Sequence, residues 1–170
     1  MNKKKPSKSE LMSKLLKAPD STLKNMIIQE MPVEERIVFL KLQENMFAKK
    51  DKKLKKLRDS LLEIGGDVVY FTSTAAKEAK GFSKWTINAP KSKDIQIVKG
   101  APASMCHHVS RVIYKDNKKH LSIYFGYSAK KERGLMVWYP HSWLVENKTG
   151  VVIEPTPIKR KFYYGRKVPQ

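Results

Sequence analysis

The chain holds one cysteine, Cys106, in the run Met105-Cys106-His107-His108. A histidine follows in Trp138-Tyr139-Pro140-His141-Ser142-Trp143, and a carboxylate in Val152-Ile153-Glu154-Pro155-Thr156. A thiol nucleophile needs a base to take its proton, and the base needs a group that fixes its tautomer. Cys106, His141 and Glu154 supply those three parts in that order. The chemistry they would support is acyl transfer through a thioester.

Each part needs an element to hold it. Gly100-Ala101-Pro102-Ala103-Ser104 reads as a turn leading into a helix from Met105 to Tyr114, with Ser104 as its N-cap. Cys106 then sits in the first turn, where free amides and the helix dipole lower a thiol pKa and can hold a developing oxyanion. Strand-like runs cover 121–127, 135–145, 150–154 and 161–168, with a charged turn from Lys130 to Arg133 before Gly134. Asn147-Lys148-Thr149-Gly150 is a hairpin connection. Centred near Lys148, it sets Glu154 opposite His141 across two antiparallel strands.

Each residue also has a purely structural reading. A lone cysteine is often an inert core residue. His141 can be a hydrogen-bonded structural histidine, and Glu154 can pair with a neighbouring Lys or Arg. Zinc-ligand spacings such as C-x2-C are absent, so no metal site is expected from Cys106, His107, His108 and His141.

A Cys at a helix start, a His-Ser-Trp strand and an Ile-Glu-Pro-Thr strand together resemble the transglutaminase-like branch of the papain-like cysteine enzymes. The closing Phe162-Tyr163-Tyr164-Gly165 is similar to the tail of small phage and bacterial proteins of this type. The resemblance covers roughly residues 100–168. It implies an α+β domain in which the Cys-bearing helix packs on an antiparallel meander. It further implies Cys106 as nucleophile, His141 as general base and acid, Glu154 as the group orienting the imidazole, and no cofactor. The implied substrate is a protein or peptide-like amide, and hydrolysis, deamidation and transglutamination all use this chemistry. Glu154 stands where Asp is more usual, and His107 where many members have an aromatic residue. Trp85 and Asn88 are the candidates for the oxyanion, with His107 and Trp143 as cleft residues.

Upstream, Leu11, Leu15 and Leu16 suggest a short amphipathic helix, and Leu23, Met26 and Ile27 a second. Pro32 fits the first turn of a longer helix running from Val33 to Ile64 and stopped by Gly65-Gly66. Val33, Leu40, Phe47, Leu54 and Leu61 recur every seventh residue along it, with Ile37, Leu57 and Ile64 in a partial second stripe. It can lie along a domain or pair with another helix, in self-association or with a partner. Residues 1–64 thus read as a helical, lysine-rich extension and 65–170 as the α+β domain. Short strands are expected at 67–72, 85–88 and 95–98.

Thirty-five Lys and Arg against sixteen acids give a formal charge of +19 over 170 residues. That favours nucleic acid, anionic surfaces or acidic proteins as partners. Lys52, Lys53, Lys55, Lys56 and Arg58, with Lys159, Arg160 and Lys161, are the candidate anion-binding residues. The alternative to an enzyme is therefore a basic binding protein; the same lysine run also reads as a solvated helix face. One cysteine excludes an internal disulfide framework and suits a reducing, cytoplasmic setting. The lysines at the start resemble a signal n-region, but Lys8, Glu10, Lys14 and Lys17 interrupt any apolar segment behind them.

Overall fold

A computed structural model describes residues 31–88, 90–102 and 105–169. The two short helices expected before residue 28, and Ser104, lie outside them. Pro32 (φ −51°) precedes α1 (Val33–Lys50), whose Glu34 and Glu35 occupy the positive end and Lys49 and Lys50 the negative end. The single helix expected from 33 to 64 is broken at Asp51, and α2 spans Lys52–Gly65. Asp51 takes an extended backbone (φ −135°, ψ 114°), and its carboxylate accepts from Lys53 N at 2.7 Å and Leu54 N at 3.3 Å. A short acid at that position satisfies free amides better as an N-cap than it would mid-helix, by about 1 kcal/mol.

The remaining elements are β1 (Val68–Val69), a short α3 (Ala75–Glu78), β2 (Thr86–Asn88), β3 (Ile95–Ile97), α4 (Cys106–Asp116), β4 (Leu121–Glu132), β5 (Leu135–Glu146), β6 (Val152–Glu154) and β7 (Phe162–Lys167). They build one sheet of order β2-β7-β4-β5-β6-β3, with β1 also pairing β5. The fold is α+β, as expected, but the sheet is mixed rather than an antiparallel meander: β1 joins β5, and β3 joins β6, in parallel. Both parallel strands are two or three residues long and arrive from outside the hairpins, so no tight turn dictates their direction. β4 and β5 form the long hairpin at the centre, turning through Arg133 (φ 42°) and Gly134 (φ 88°). Positive φ at both positions is the backbone that a two-residue turn needs.

One face of the sheet carries Tyr127, Ala129 and Trp138, which pack with Leu54, Leu57 and Leu61 of α2 and with Phe71 and Trp85. The heptad stripe is thus spent on the chain's own core. α2 runs to Gly65, and it helps build the core of the sheet. α1 covers the outer edge of β1. Gln43 donates to Phe71 O at 2.7 Å and accepts from Phe71 N at 3.3 Å, and Glu44 accepts from Val69 N at 2.9 Å. Side chains here stand in for the strand that an open edge would otherwise recruit. No helix among the described residues is long and apolar enough to cross a membrane.

Candidate active site

β5 shares its outer edge between two short strands. β1 pairs with Val137 and Trp138, and β6 pairs with Leu144 and Val145. Residues 139–143 lie between these two pairings, and α4 begins beside them. Side chains alternate along β5. Ser142 turns toward α4, where its Oγ lies 2.6 Å from His107 Nδ1, and His107 packs on Phe125 with ring centroids 5.7 Å apart. His141 and Trp143 turn to the opposite face.

The hairpin register differs by two residues from the expected one. Leu144 opposes Ile153 and Val145 opposes Val152, so the register extended sets Glu154 against Trp143 and diagonal to His141. A two-residue shift keeps the same face. His141 Nε2 and Glu154 Oε2 are 2.9 Å apart, both side chains fully buried. The expected pairing forms, along the diagonal.

Glu154 gathers further donors. Tyr163 OH donates to Oε2 at 3.0 Å, and Thr156 donates to Oε1 from its amide at 3.1 Å and its hydroxyl at 2.6 Å. Arg160 Nε lies 3.3 Å from Oε2, while its Nη1 donates to Ser128 Oγ at 2.9 Å. Burial alone would raise the Glu154 pKa; His141, Arg160 and Thr156 outweigh it and hold the carboxyl below its usual range. An ionised carboxylate only accepts, so the proton on the imidazole sits on Nε2 and Nδ1 keeps its lone pair. Burial, reinforced by Arg160 and opposed by Glu154, lowers His141 to about 4, so the ring is neutral at pH 7. Among the described residues Nδ1 has no hydrogen-bond partner.

Room for this cluster comes from glycine. Gly126 stands opposite both His141 on β5 and Gly165 on β7. A Cβ on Gly126 would lie 2.2 Å from Tyr164 O, and one on Gly165 would lie 2.6 Å from the Trp143 ring. Trp143 fills that space, stacking on Tyr124 and lying nearly parallel to His141.

Cys106 opens α4, as expected. Its neighbours differ from those expected. Met105 takes the N-cap position without a side-chain bond, and the thiol is 7% exposed. Burial pushes the thiol pKa up, more than the backbone of Ser142 and the Arg160 charge pull it down, and Glu154 adds to the rise. The helix start therefore does not produce the lowered thiol that the sequence suggested. The sulfur meets the backbone of Ser142, the residue after His141, and makes no hydrogen bond to Nδ1.

No family model, curated protein or solved structure matches this chain.

The other candidates separate. Trp85 is a core residue stacked on Tyr127, and with Tyr164 and Ile87 it lines an open groove that none of Cys106, His141 or Glu154 borders. Asn88 lies on β2, separated from β5 by β7 and β4. His107 lies beside Cys106 with its ring part-buried against Ser142 and Phe125, and that burial lowers its pKa. Lys52, Lys53, Lys55 and Lys56 lie on the exposed face of α2. Arg58 instead pairs with Asp59 at 2.8 Å and Glu44 at 3.6 Å. Lys159 and Lys161 are exposed, but Arg160 between them is buried against Glu154 and is no surface anion site. Among the described residues no three His, Cys, Asp or Glu side chains converge as metal ligands. Ser128 and Gly126 carried no motif of their own, while Thr156 lay in the Ile-Glu-Pro-Thr run and Tyr163 and Gly165 in the closing Phe-Tyr-Tyr-Gly run, without their bonds to this cluster being expected. Strand alternation is the signal that could have found Tyr163 and Ser128, since the sheet register sets both on the face of His141.

Proposed function

We propose that the protein is a thiol-dependent acyl-transfer enzyme of the papain-like type, with Cys106 as nucleophile, His141 as general base and acid, and Glu154 as the group orienting the imidazole. One observation carries the reading: Glu154 occupies His141 Nε2 and leaves Nδ1 as a buried, unpartnered acceptor beside the backbone that meets the Cys106 thiol. As Sγ bonds to the acyl carbon, the thiol proton passes to Nδ1 around the outer edge of β5, which lies between the β1 and β6 pairings at residues 139–143. His141 then returns it to the departing amine as the C–N bond breaks. Water or a second amine, deprotonated by His141, attacks the thioester and frees Cys106. A raised thiol and a lowered imidazole favour a neutral resting pair, so the proton moves during attack rather than before it. The peptide-like substrate and a cytoplasmic setting belong to the same reading.

The test uses p-nitrophenyl acetate as a small acyl probe with mass detection of the acetylated chain. Wild type should release a burst of one nitrophenolate per chain and carry the acetyl group on Cys106. His141→Ala should slow that acetylation at least about 100-fold. Cys106→Ala should abolish it at a stability cost of about 1 kcal/mol. Equal acetylation rates in wild type and His141→Ala would sink the mechanism.

A second reading is favoured by the lysine face of α2 and by exposed Lys159 and Lys161. This surface would bind nucleic acid or an acidic protein, alone or as a recruiting site for an acidic substrate. Binding of a labelled oligonucleotide should then weaken steeply with salt, roughly one power of salt concentration per phosphate contact. Loss of that slope in a Lys52, Lys53, Lys55, Lys56→Ala variant would assign the surface.

A further inference from the structure

α1 has two opposed faces. Leu40, Glu44 and Ala48 are buried against the β1 edge. On the opposite side Val38, Leu42 and Met46 are exposed at 60%, 65% and 54%, half of the large exposed apolar side chains among the described residues. Their four-residue spacing puts them in one stripe. Glu35 continues the stripe three residues before Val38, and Lys49 three residues after Met46. The stripe therefore reads acid, apolar, apolar, apolar, base, with the same steps from either end of Leu42. An antiparallel copy of the helix presents the same stripe reversed. Leu42 then meets Leu42, Val38 meets Met46, and Glu35 meets Lys49 at both ends. A parallel copy would instead set Glu35 on Glu35 and Lys49 on Lys49.

We propose that this face of α1 pairs antiparallel with α1 of a second copy of the chain, about a two-fold axis through Leu42. The arrangement is self-complementary, as a two-fold interface requires. The reversed charges are what single out a second copy as the occupant: any other apolar partner would need the same acid-to-base polarity. The helix has 18 residues, about 27 Å at 1.5 Å per residue. Three apolar side chains per copy bury well under the roughly 800 Å² per partner of a standard stable interface. The dimer is accordingly weak, with a dissociation constant on the order of 10–100 μM.

Sedimentation velocity of the full chain from about 5 to about 500 μM, at moderate salt to screen the net charge, reads it directly. Wild type should shift from monomer to dimer across that range. Leu42→Glu should weaken the dimer at least about tenfold while leaving the thermal melt unchanged, because Leu42 is exposed. Glu35→Lys and Lys49→Glu should each weaken it several-fold, and the two together should restore it to within about twofold. For orientation, a mixture of Val38→Cys and Met46→Cys chains should oxidise to the mixed disulfide, with little of either homodimer. A chain monomeric throughout, a dimer indifferent to Leu42→Glu, a double charge reversal that fails to restore, or preferential Val38→Cys homodimers would each overturn the proposal.

Discussion

Two buried glutamates show how this fold treats a carboxylate. Glu154 and Glu44 are 0% and 7% exposed. Glu44 accepts one backbone bond, from Val69 N, and has Arg58 at 3.6 Å. Burial wins there, over Val69 and Arg58, and its pKa rises. Glu154 receives Tyr163 and both donors of Thr156, pairs with His141, and lies against Arg160. Its pKa falls despite deeper burial. The donors and charges gathered around the group, not its depth, decide the sign. Glu44 caps a sheet edge, a task a neutral amide could perform. Glu154 is held as an anion, and an anion is what fixes a neutral imidazole with a free Nδ1.

Removing the charge should therefore separate the two sites sharply. Glu154→Gln leaves Arg160 buried without a counter-ion and should destabilise the fold by about 3–5 kcal/mol, read as a lowered midpoint in urea unfolding. A cost under about 1 kcal/mol would mean that the cluster is no more demanding than the edge at Glu44.

Acid should sharpen the contrast, since the two sites respond with opposite signs. Glu154 binds its proton less tightly when folded, so its contribution is present above the unfolded value near 4.5 and is lost as pH falls through the lower folded value. His141 acts in the same direction. The unfolded ring takes up a proton near 6.5 and the folded one only near 4, so stability declines between those values as pH falls. Glu44, with its raised folded value, contributes most below about 4.5 and loses that contribution as pH rises. Urea midpoints between pH 7 and pH 4 should fall in wild type. The fall should flatten in His141→Phe, and an unchanged slope would remove the buried neutral histidine from the account.

The parts legible in the sequence were those carried by local pattern. Alternating apolar runs gave β4, β5 and β7, and the turn residues 147–150 gave the hairpin. The Gly-Ala-Pro segment gave the start of α4, so the place of Cys106 at a helix start and the pairing of His141 with Glu154 were both legible. The two-residue register error did no harm, because the face was conserved and a Glu side chain reaches the diagonal. Long-range features were not legible. Lys159-Arg160-Lys161 reads as a surface cluster, yet Arg160 folds inward because Glu154 and Ser128 wait across the sheet. The expected helix from Val33 to Ile64 ran through Asp51 without a break, since an N-cap is distinguished only by the chain direction that it enforces. The thiol was misjudged because helix-start amides are local while burial is set by packing. Parallel pairing of β1 and β3 likewise depends on where distant segments arrive.

Removing one donor at a time should move Glu154 toward the behaviour of Glu44. Tyr163→Phe keeps the ring packed against Trp143 and deletes only the hydroxyl. The loss of one hydrogen bond to a charged acceptor should cost about 1.5–3 kcal/mol. It should also raise the pH at which acid unfolding begins. No change in that pH would show that Tyr163 packs on the cluster without supporting its charge.

The smallest effect should come from the other carboxylate. Glu44→Gln retains a carbonyl oxygen for Val69 N, and Arg58 keeps Asp59 at 2.8 Å as a partner. The desolvation that raises the Glu44 pKa also disappears with the charge. The change in stability at pH 7 should fall within about 1 kcal/mol of zero, because a neutral hydrogen bond replaces a poorly compensated ion. Its pH dependence carries more information than its size. The variant should gain on wild type as pH rises through the folded value of Glu44, a trend visible as diverging urea midpoints. A loss at neutral pH as large as that of Glu154→Gln would show that Arg58 and Val69 compensate the charge as fully as the four donors and the Arg160 charge around Glu154 do. The surrounding donors and charges would then not be what distinguishes the two sites.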